Sequence, residues 1–167
     1  MKPAADYWIQ ALQLQPHIEG GAYRRTYCAS LVISEDNLPQ QFRGPRPAST
    51  AIYYLLQKKQ FSALHRIASD EVWHFYYGDP LMIYEIDCNG HLTEHLLGNN
   101  PLSKESFQCV IKAGSWFGSR IKNRGDYSLA GCTVSPGFDF DDFELAGRTA
   151  LLALYPQHAG IINALTK

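Results

Sequence analysis

The sequence predicts an all-β domain closed into a sandwich or barrel, and three observations predict it. Short segments rich in aromatic and β-branched side chains recur along the chain, turn-forming combinations separate them, and helical crossovers between them are almost absent. The 167 residues fit one domain, 1–167, and 46% hydrophobic content is enough to fill one core.

In chain order, Tyr7, Trp8, Ala11, Leu12 and Leu14 recur at helical spacing within Ala5 to Leu14, and Pro16 ends the pattern, giving a short N-terminal helix. Gly20 and Gly21 punctuate the chain, and the period then changes. Ala22 to Ser30 and Ser49 to Leu56 read as strands, separated by a polar, Pro-containing loop over Glu35 to Pro47 that is long enough to cover a ligand or a partner subunit. Further strands are expected at Phe61 to Ile67, Val72 to Tyr77, Leu81 to Ile86, His91 to Leu97, Phe107 to Ile111, Trp116 to Ile121 and Tyr127 to Val134. Gly-Asp-Pro at 78–80, Cys-Asn-Gly at 88–90, Asn-Asn-Pro at 99–101, Lys-Ala-Gly at 112–114 and Asn-Arg-Gly at 123–125 supply the turns. Ala159 to Thr166 allows a short C-terminal helix.

Charge and composition exclude some functions. Fifteen Lys plus Arg against 16 Asp plus Glu leave a formal charge of −1, with no cationic surplus for nucleic acid. No apolar run approaches the roughly 20 residues of a membrane-spanning helix. The first residues reach Asp6 before any sustained apolar run and no small-residue cleavage pattern follows, so a cytoplasmic protein is expected. Cys28, Cys88, Cys109 and Cys132 form no CxxC pair, and their even number is weak evidence for disulfides.

Candidate chemistry follows from strand parity, because side chains two apart share a sheet face. His65 shares a face with Phe61, Ala63 and Ile67; Glu71 shares one with Trp73, Phe75 and Tyr77. His65 and Glu71 are therefore expected at one pocket with aromatic lining, unless both are bonded structural groups. His74 falls on the opposite parity. His17, with Glu19 two residues on, reads more readily as a loop histidine, and His91 and His95 as solvent-facing.

The stretch ALHRIASDEVWHFYYGDP resembles the first cupin motif: His65, Glu71 and Gly78 match its spacing, and Ile67 stands where the motif has a second histidine. At the second motif the chain has Lys112, Gly114, Phe117 and Ile121, so two of the four usual metal ligands are missing. PHIEGG at 16–21, YRRTY at 23–27, RPASTAIYYLL at 46–56, AGSWFGSR at 113–120, GCTVSPGFDFDDFEL at 131–145 and YPQH at 155–158 resemble the recurring words of the DUF985 cupins, described as predicted sugar epimerases. That resemblance implies a double-stranded β-helix, the cupin jelly-roll barrel, and a homodimer. It further implies a pocket for a small polar, carbohydrate-like metabolite.

Similarity to the metal-independent dTDP-4-dehydrorhamnose 3,5-epimerases implies His65 as base, Asp139 or Asp141 as its orienter and Tyr54 or Tyr77 as the opposing acid. Arg24, Arg66 or Arg120 would contact phosphate or enolate, with Trp73, Phe75 and Phe117 among the ligand-binding aromatics. No cofactor is expected; a divalent metal, if bound, would use His65 and Glu71, which fall short of the three or four protein ligands such an ion needs. Two other classes stay open: a non-catalytic binding or interaction module, and a metal-dependent cupin enzyme.

Overall fold

The computed structural model describes residues 2–122 and 125–167, so most of the expected Asn-Arg-Gly turn lies outside the described residues. The elements in order are α1 (Ala5–Ala11), β1 (Gln15–Pro16), β2 (Ala22–Cys28), β3 (Val32–Ile33), β4 (Arg46–Pro47), β5 (Thr50–Gln57), β6 (Phe61–Arg66) and β7 (Asp70–Gly78). They continue with β8 (Leu81–Ile86), β9 (Leu92–Leu97), β10 (Gln108–Ile111), β11 (Trp116–Ile121), β12 (Tyr127–Ser135), β13 (Glu144–Leu145), α2 (Arg148–Leu154) and α3 (Ala159–Ala164).

The expected all-β double-stranded β-helix, a closed jelly-roll barrel, is corrected. The strands form three separate antiparallel sheets, ordered β1-β2-β5-β12-β7-β10, β13-β6-β11-β8-β9 and β3-β4, and none closes on itself. Three α-helices accompany them among the described residues, so the fold is mixed α and β. The two large sheets face each other across one apolar layer, where Leu56, Trp73 and Ala130 of the six-stranded sheet meet Ile83, Phe117 and Leu97 of the other.

The helices are present because both sheets also carry apolar side chains on their outer faces. Leu64, Tyr84, Ile86 and Trp116 point away from the central layer and are buried by Leu151 of α2 and by Ile162 and Leu165 at α3. Strands covered on both sides read as nearly continuous apolar runs, and LMIYEI at 81–86 is such a run. On the six-stranded sheet, Trp8 and Ile9 of α1 cover Leu55, Tyr127 and Leu129. The fixed point of α1 is a hydrogen bond from Trp8 Nε1 to Tyr127 Oη at 2.9 Å.

Two bulges alter the strand parity read from the sequence. In β6 the register against β11 shifts between Phe117↔His65 and Ser119↔Ser62, which puts Ser62 rather than Phe61 on the face of His65. Gly118 sits against this bulge, and a Cβ there would come within 2.7 Å of the Ser62 carbonyl oxygen. The bulged backbone turns to other segments: Ala63 N donates to Glu19 O at 2.9 Å and Leu64 N to Leu165 O at 2.7 Å. In β7 the register against β12 shifts between Leu129 and Ala130, so that Tyr77 leaves the face occupied by Glu71, Trp73 and Phe75.

The loop over Glu35 to Pro47 contains a short helical turn and ends in the β3-β4 pair. Its Arg46 is buried and forms a bidentate pair with Asp142, Nε and Nη2 each lying 2.7 Å from a carboxylate oxygen. This ties the loop to the segment 138–143, which lies over one end of the space between the sheets.

Candidate active site

Beneath that segment lies a small, partly open cavity of about 50 Å³ between the two large sheets. Its polar lining is His17, Glu19, Tyr54, His65 and Glu71, with Cys132 beside them. Ile52, Ile67, Val134, Phe138 and Phe143 form most of the remaining wall. Glu71 comes from β7 of the six-stranded sheet and His65 from β6 of the facing one, so the two groups approach the cavity from opposite walls.

Glu19 is delivered by the turn that follows β1. His17 N donates to Gly21 O, and Gly20 N to His17 O, each at 3.1 Å. Gly20 has φ +122°, and a Cβ would meet Phe61 O at 2.1 Å, so this close approach requires glycine. Tyr54 Oη donates to Gly20 O at 2.9 Å and holds the turn from the cavity side. Tyr54→Phe is expected to destabilise the protein by about 1–3 kcal/mol, the range for leaving a buried acceptor unpaired. Urea unfolding checks this, and a change inside error would show that the turn is held by other contacts.

The Glu19 carboxylate is a hub. Its Oε1 accepts from Ser62 Oγ at 3.0 Å, its Oε2 lies 3.0 Å from His65 Nε2, and His17 Nδ1 is 3.6 Å from the same oxygen. His65 Nδ1 is 2.7 Å from the Ala63 carbonyl oxygen, which can only accept, so Nδ1 carries a proton. The contact between Nε2 and Glu19 Oε2 therefore holds one further proton between an imidazole and a carboxylate.

Burial decides where the charges are. His65 is packed between Phe117, at a ring separation of 4.1 Å, and Phe143, at 5.3 Å. Desolvation lowers its pKa to about 4, against the partial compensation of its bond to Ala63 O. Burial likewise raises Glu19, opposed by His17, Ser62 and Tyr54, and lowers His17. Glu71 is pushed up to about 8 by burial, against a stabilising contact with Cys132. At neutral pH the cavity thus holds a protonated Glu71 and neutral imidazoles.

Other residues singled out in the sequence lie elsewhere. Tyr77 is on the outer face against Trp8, at 5.4 Å, because of the β7 bulge. Trp73 and Phe75 are in the central core, Trp73 standing edge-on behind Tyr54 at 5.5 Å, and Phe117 backs His65. Asp139 accepts a hydrogen bond from Asp141 N at 2.9 Å, and neither aspartate reaches His65, whose carboxylate neighbour is Glu19. Arg66 pairs with Glu144 at 2.6 Å and lies over Trp116; Arg120 donates to Tyr84 Oη. Arg24 lies over the Tyr53 ring at 5.9 Å, on the outer face of the six-stranded sheet and not among the residues that line the cavity.

Glu19, His17 and Cys132 are the cavity residues that strand parity did not find, since Glu19 and His17 precede the first long strand. The available signal was the His-x-Glu-Gly-Gly word, whose paired glycines mark a close backbone approach. All four cysteines are free.

The donor set does not fit a metal ion. Both His65 nitrogens are directed to protein oxygens, Ile67 and Phe117 offer no donor, and among the described residues no three His, Cys, Asp or Glu side chains are grouped to hold one. No helix among the described residues is long and apolar enough to cross a membrane.

Residues 6–146 match the family Cupin_5, described as Cupin superfamily (DUF985). A protein of Shewanella oneidensis is 39% identical, with TM-score 0.89 over 99% of this chain and 98% of its own. A hypothetical protein from Leishmania major is 34% identical, with TM-score 0.88 over 98% and 99%. Oxalate decarboxylase from Bacillus subtilis, at 13% identity and TM-score 0.54, shares the fold over 90% of this chain and 36% of its own length. No curated protein matches the chain.

Proposed function

This chain belongs to the DUF985 (Cupin_5) family of the cupin superfamily, and from that premise we propose that its cavity binds the reactive end of a small polar, carbohydrate-like metabolite and moves a proton on it. The reaction class is metal-independent isomerisation or epimerisation beside a carbonyl. The observation that carries this reading is the presence, on opposite walls of one largely apolar cavity, of an acid that keeps its proton to about pH 8 and a proton-sharing Glu19–His65 pair.

Removing a proton beside a carbonyl needs a base and a donor for the developing enolate oxygen. Glu71, kept neutral by burial, donates its hydrogen bond to that oxygen. Glu19 takes the substrate proton on its carboxylate as the proton it shares with His65 passes to His65 Nε2, leaving a protonated pair opposite an enolate. Ser62 and Tyr54 hold Glu19 and its turn in place. Return of a proton from the Glu19–His65 side to the former carbonyl carbon, with the proton of the neighbouring hydroxyl passing to the enolate oxygen, gives isomerisation; return to the original carbon from the Glu71 wall gives inversion and leaves Glu71 ionised and the Glu19–His65 pair protonated, both resetting by proton exchange with water.

The test is solvent exchange. Keto and aldo sugars and their phosphates are incubated with the protein in D2O, and deuterium incorporation is followed by proton NMR. Exchange is expected with at least one compound, and Glu71→Gln and His65→Gln should each slow it by about 10²–10⁴-fold, the range for a positioned acid or base. Ligands that bind tightly in thermal-shift assays without exchange, alike in wild type and Glu71→Gln, would contradict a catalytic role and leave a binding protein.

A further inference from the structure

Inversion leaves an extra proton on the Glu19–His65 pair while the metabolite still fills the cavity, so that proton needs a way out that avoids the cavity. The contacts of Glu19 offer one. Its Oε1 is taken by Ser62, and its Oε2 faces two imidazoles, His65 Nε2 at 3.0 Å and His17 Nδ1 at 3.6 Å. Ser62, Tyr54 and His65 are buried and lead only inward. His17 is half-buried, its ring stacked on the exposed Phe140 at 6.3 Å and edge-on to Tyr23 at 4.5 Å.

The tautomer of His17 suits the transfer. Its Nδ1 accepts from Glu19 N at 3.4 Å, so the lone pair is directed toward Glu19 and the proton is on Nε2. The 3.6 Å contact to Oε2 is longer than a hydrogen bond, and it closes when Oε2 carries a proton to donate, as catalytic contacts tighten on loading. Both residues belong to the turn made by Gly20 and Gly21, in which His17 N bonds Gly21 O and Gly20 N bonds His17 O.

We infer that His17 is the proton relay of the site, carrying to solvent the proton that Glu19 takes from the metabolite. The inference rests on the proposed function, and His17 acts through Glu19 rather than on the metabolite. The Glu19 O–H bond breaks as a bond to His17 Nδ1 forms. The imidazolium then gives its Nε2 proton to water, and tautomer exchange through water restores the starting ring. One proton stays shared between Glu19 and His65.

The groups around the ring favour release. Glu19 and His65 face it from the cavity side, Tyr23 and Tyr54 lie against it, and Lys167 stands outside, its Nζ donating to Ile18 O at 2.5 Å. Burial holds the His17 pKa below its ordinary value against the pull of Glu19, with His65 and Lys167 adding to the depression. A protonated His17 is therefore short-lived.

The proton shared by Glu19 and His65 tests the relay without any substrate. It is followed in the downfield proton spectrum of ¹⁵N-histidine-labelled protein, assigned by its loss in His65→Gln, and its exchange with water is measured by saturation transfer. His17→Gln keeps an acceptor for Glu19 N but takes up no proton, and should slow this exchange by about 10²-fold. His91→Gln should leave it unchanged. His17→Ala should be slowed as much and restored by added imidazole, a rescue that a purely structural histidine would not show. In the wild type the rate should follow the neutral fraction of His17, level across neutral pH and falling below its depressed midpoint. Exchange in His17→Gln as fast as in wild type, or a wild-type rate that rises in proportion to hydroxide, would overturn the relay. The wild-type profile alone decides this if the variants fail to fold. Slowed exchange in His17→Gln with no deuterium entering any sugar would retain the relay and reject only the proton-transfer reading; sugar exchange at full rate in His17→Gln would do the reverse.

Discussion

Glu71→Gln is expected to stabilise the protein by about 4 kcal/mol at pH 8 while changing it little at pH 4.5. The folded chain holds the Glu71 proton up to about pH 8, against an ordinary value of 4.5, so between those limits the folded state binds a proton that the unfolded state has lost. Stability therefore falls as pH rises through that window, at roughly 1.4 kcal/mol per unit. Glutamine has the shape of the protonated acid and does not ionise, which removes the fall. At about 2–4 °C per kcal/mol for a chain of this size, the midpoint of thermal unfolding at pH 8 should rise by roughly 10 °C.

His65 acts in the opposite sense. Its folded value of about 4 lies below the usual 6.5, so stability is lost as pH falls from 6.5 toward 4. In the wild type the two slopes nearly cancel between 4.5 and 6.5, and the uncompensated losses appear above and below. A Glu71→Gln difference that stays constant from pH 4.5 to 8 would mean that Glu71 ionises normally in the folded chain.

Arg46→Ala should destabilise the protein by about 3–5 kcal/mol, the cost of leaving one partner of a buried pair uncompensated. Arg46 satisfies both oxygens of Asp142 and also donates to Pro45 O at 2.9 Å, with both side chains almost fully enclosed. The pair anchors the segment carrying Phe138 and Phe143 over the cavity, alongside bonds from Gly137 N to Pro47 O and from Phe138 N to Thr50 Oγ1. Amide exchange at Asp142 and Phe143 should therefore accelerate along with the loss of stability. The double variant Arg46→Met, Asp142→Leu should cost less than Arg46→Ala, since it leaves no buried charge. An Arg46→Ala change below about 1 kcal/mol, the size of an ordinary surface substitution, would show that the covering segment is held by its phenylalanines alone.

The strands were legible because each is an alternating or continuous apolar run between turn residues, and Leu81–Ile86 and Trp116–Ile121 fall on the predicted bounds. Closure was not legible. Whether strands close on themselves depends on edge pairing far apart in sequence, and the family resemblance supplied a barrel that the three separate sheets do not form. Helix α2 was missed because RTALLAL is too short to show a helical period, although the outward Leu64, Tyr84 and Trp116 required some cover.

The site divided in the same way. His65 and Glu71 were reachable by parity because His65 lies beyond the β6 bulge and keeps its alternation with Ile67, and Glu71 precedes the β7 bulge, whereas Tyr77 lies beyond that bulge and turned outward. Among Asp139, Asp141 and Asp142 the sequence offered no means to see that Asp142 takes Arg46 and that none of them serves His65. Glu19 comes from a turn, where side-chain direction follows from backbone contacts such as Ala63 N to Glu19 O rather than from periodicity.

The central claim is that the cavity keeps an acid and a base uncharged on facing walls. It is tested most directly by ¹³C NMR titration of the Glu71 carboxyl carbon, assigned by comparison with Glu71→Gln. The account predicts a protonated carboxyl at pH 7 and a midpoint near the value of about 8. A midpoint near the ordinary 4.5 would contradict it.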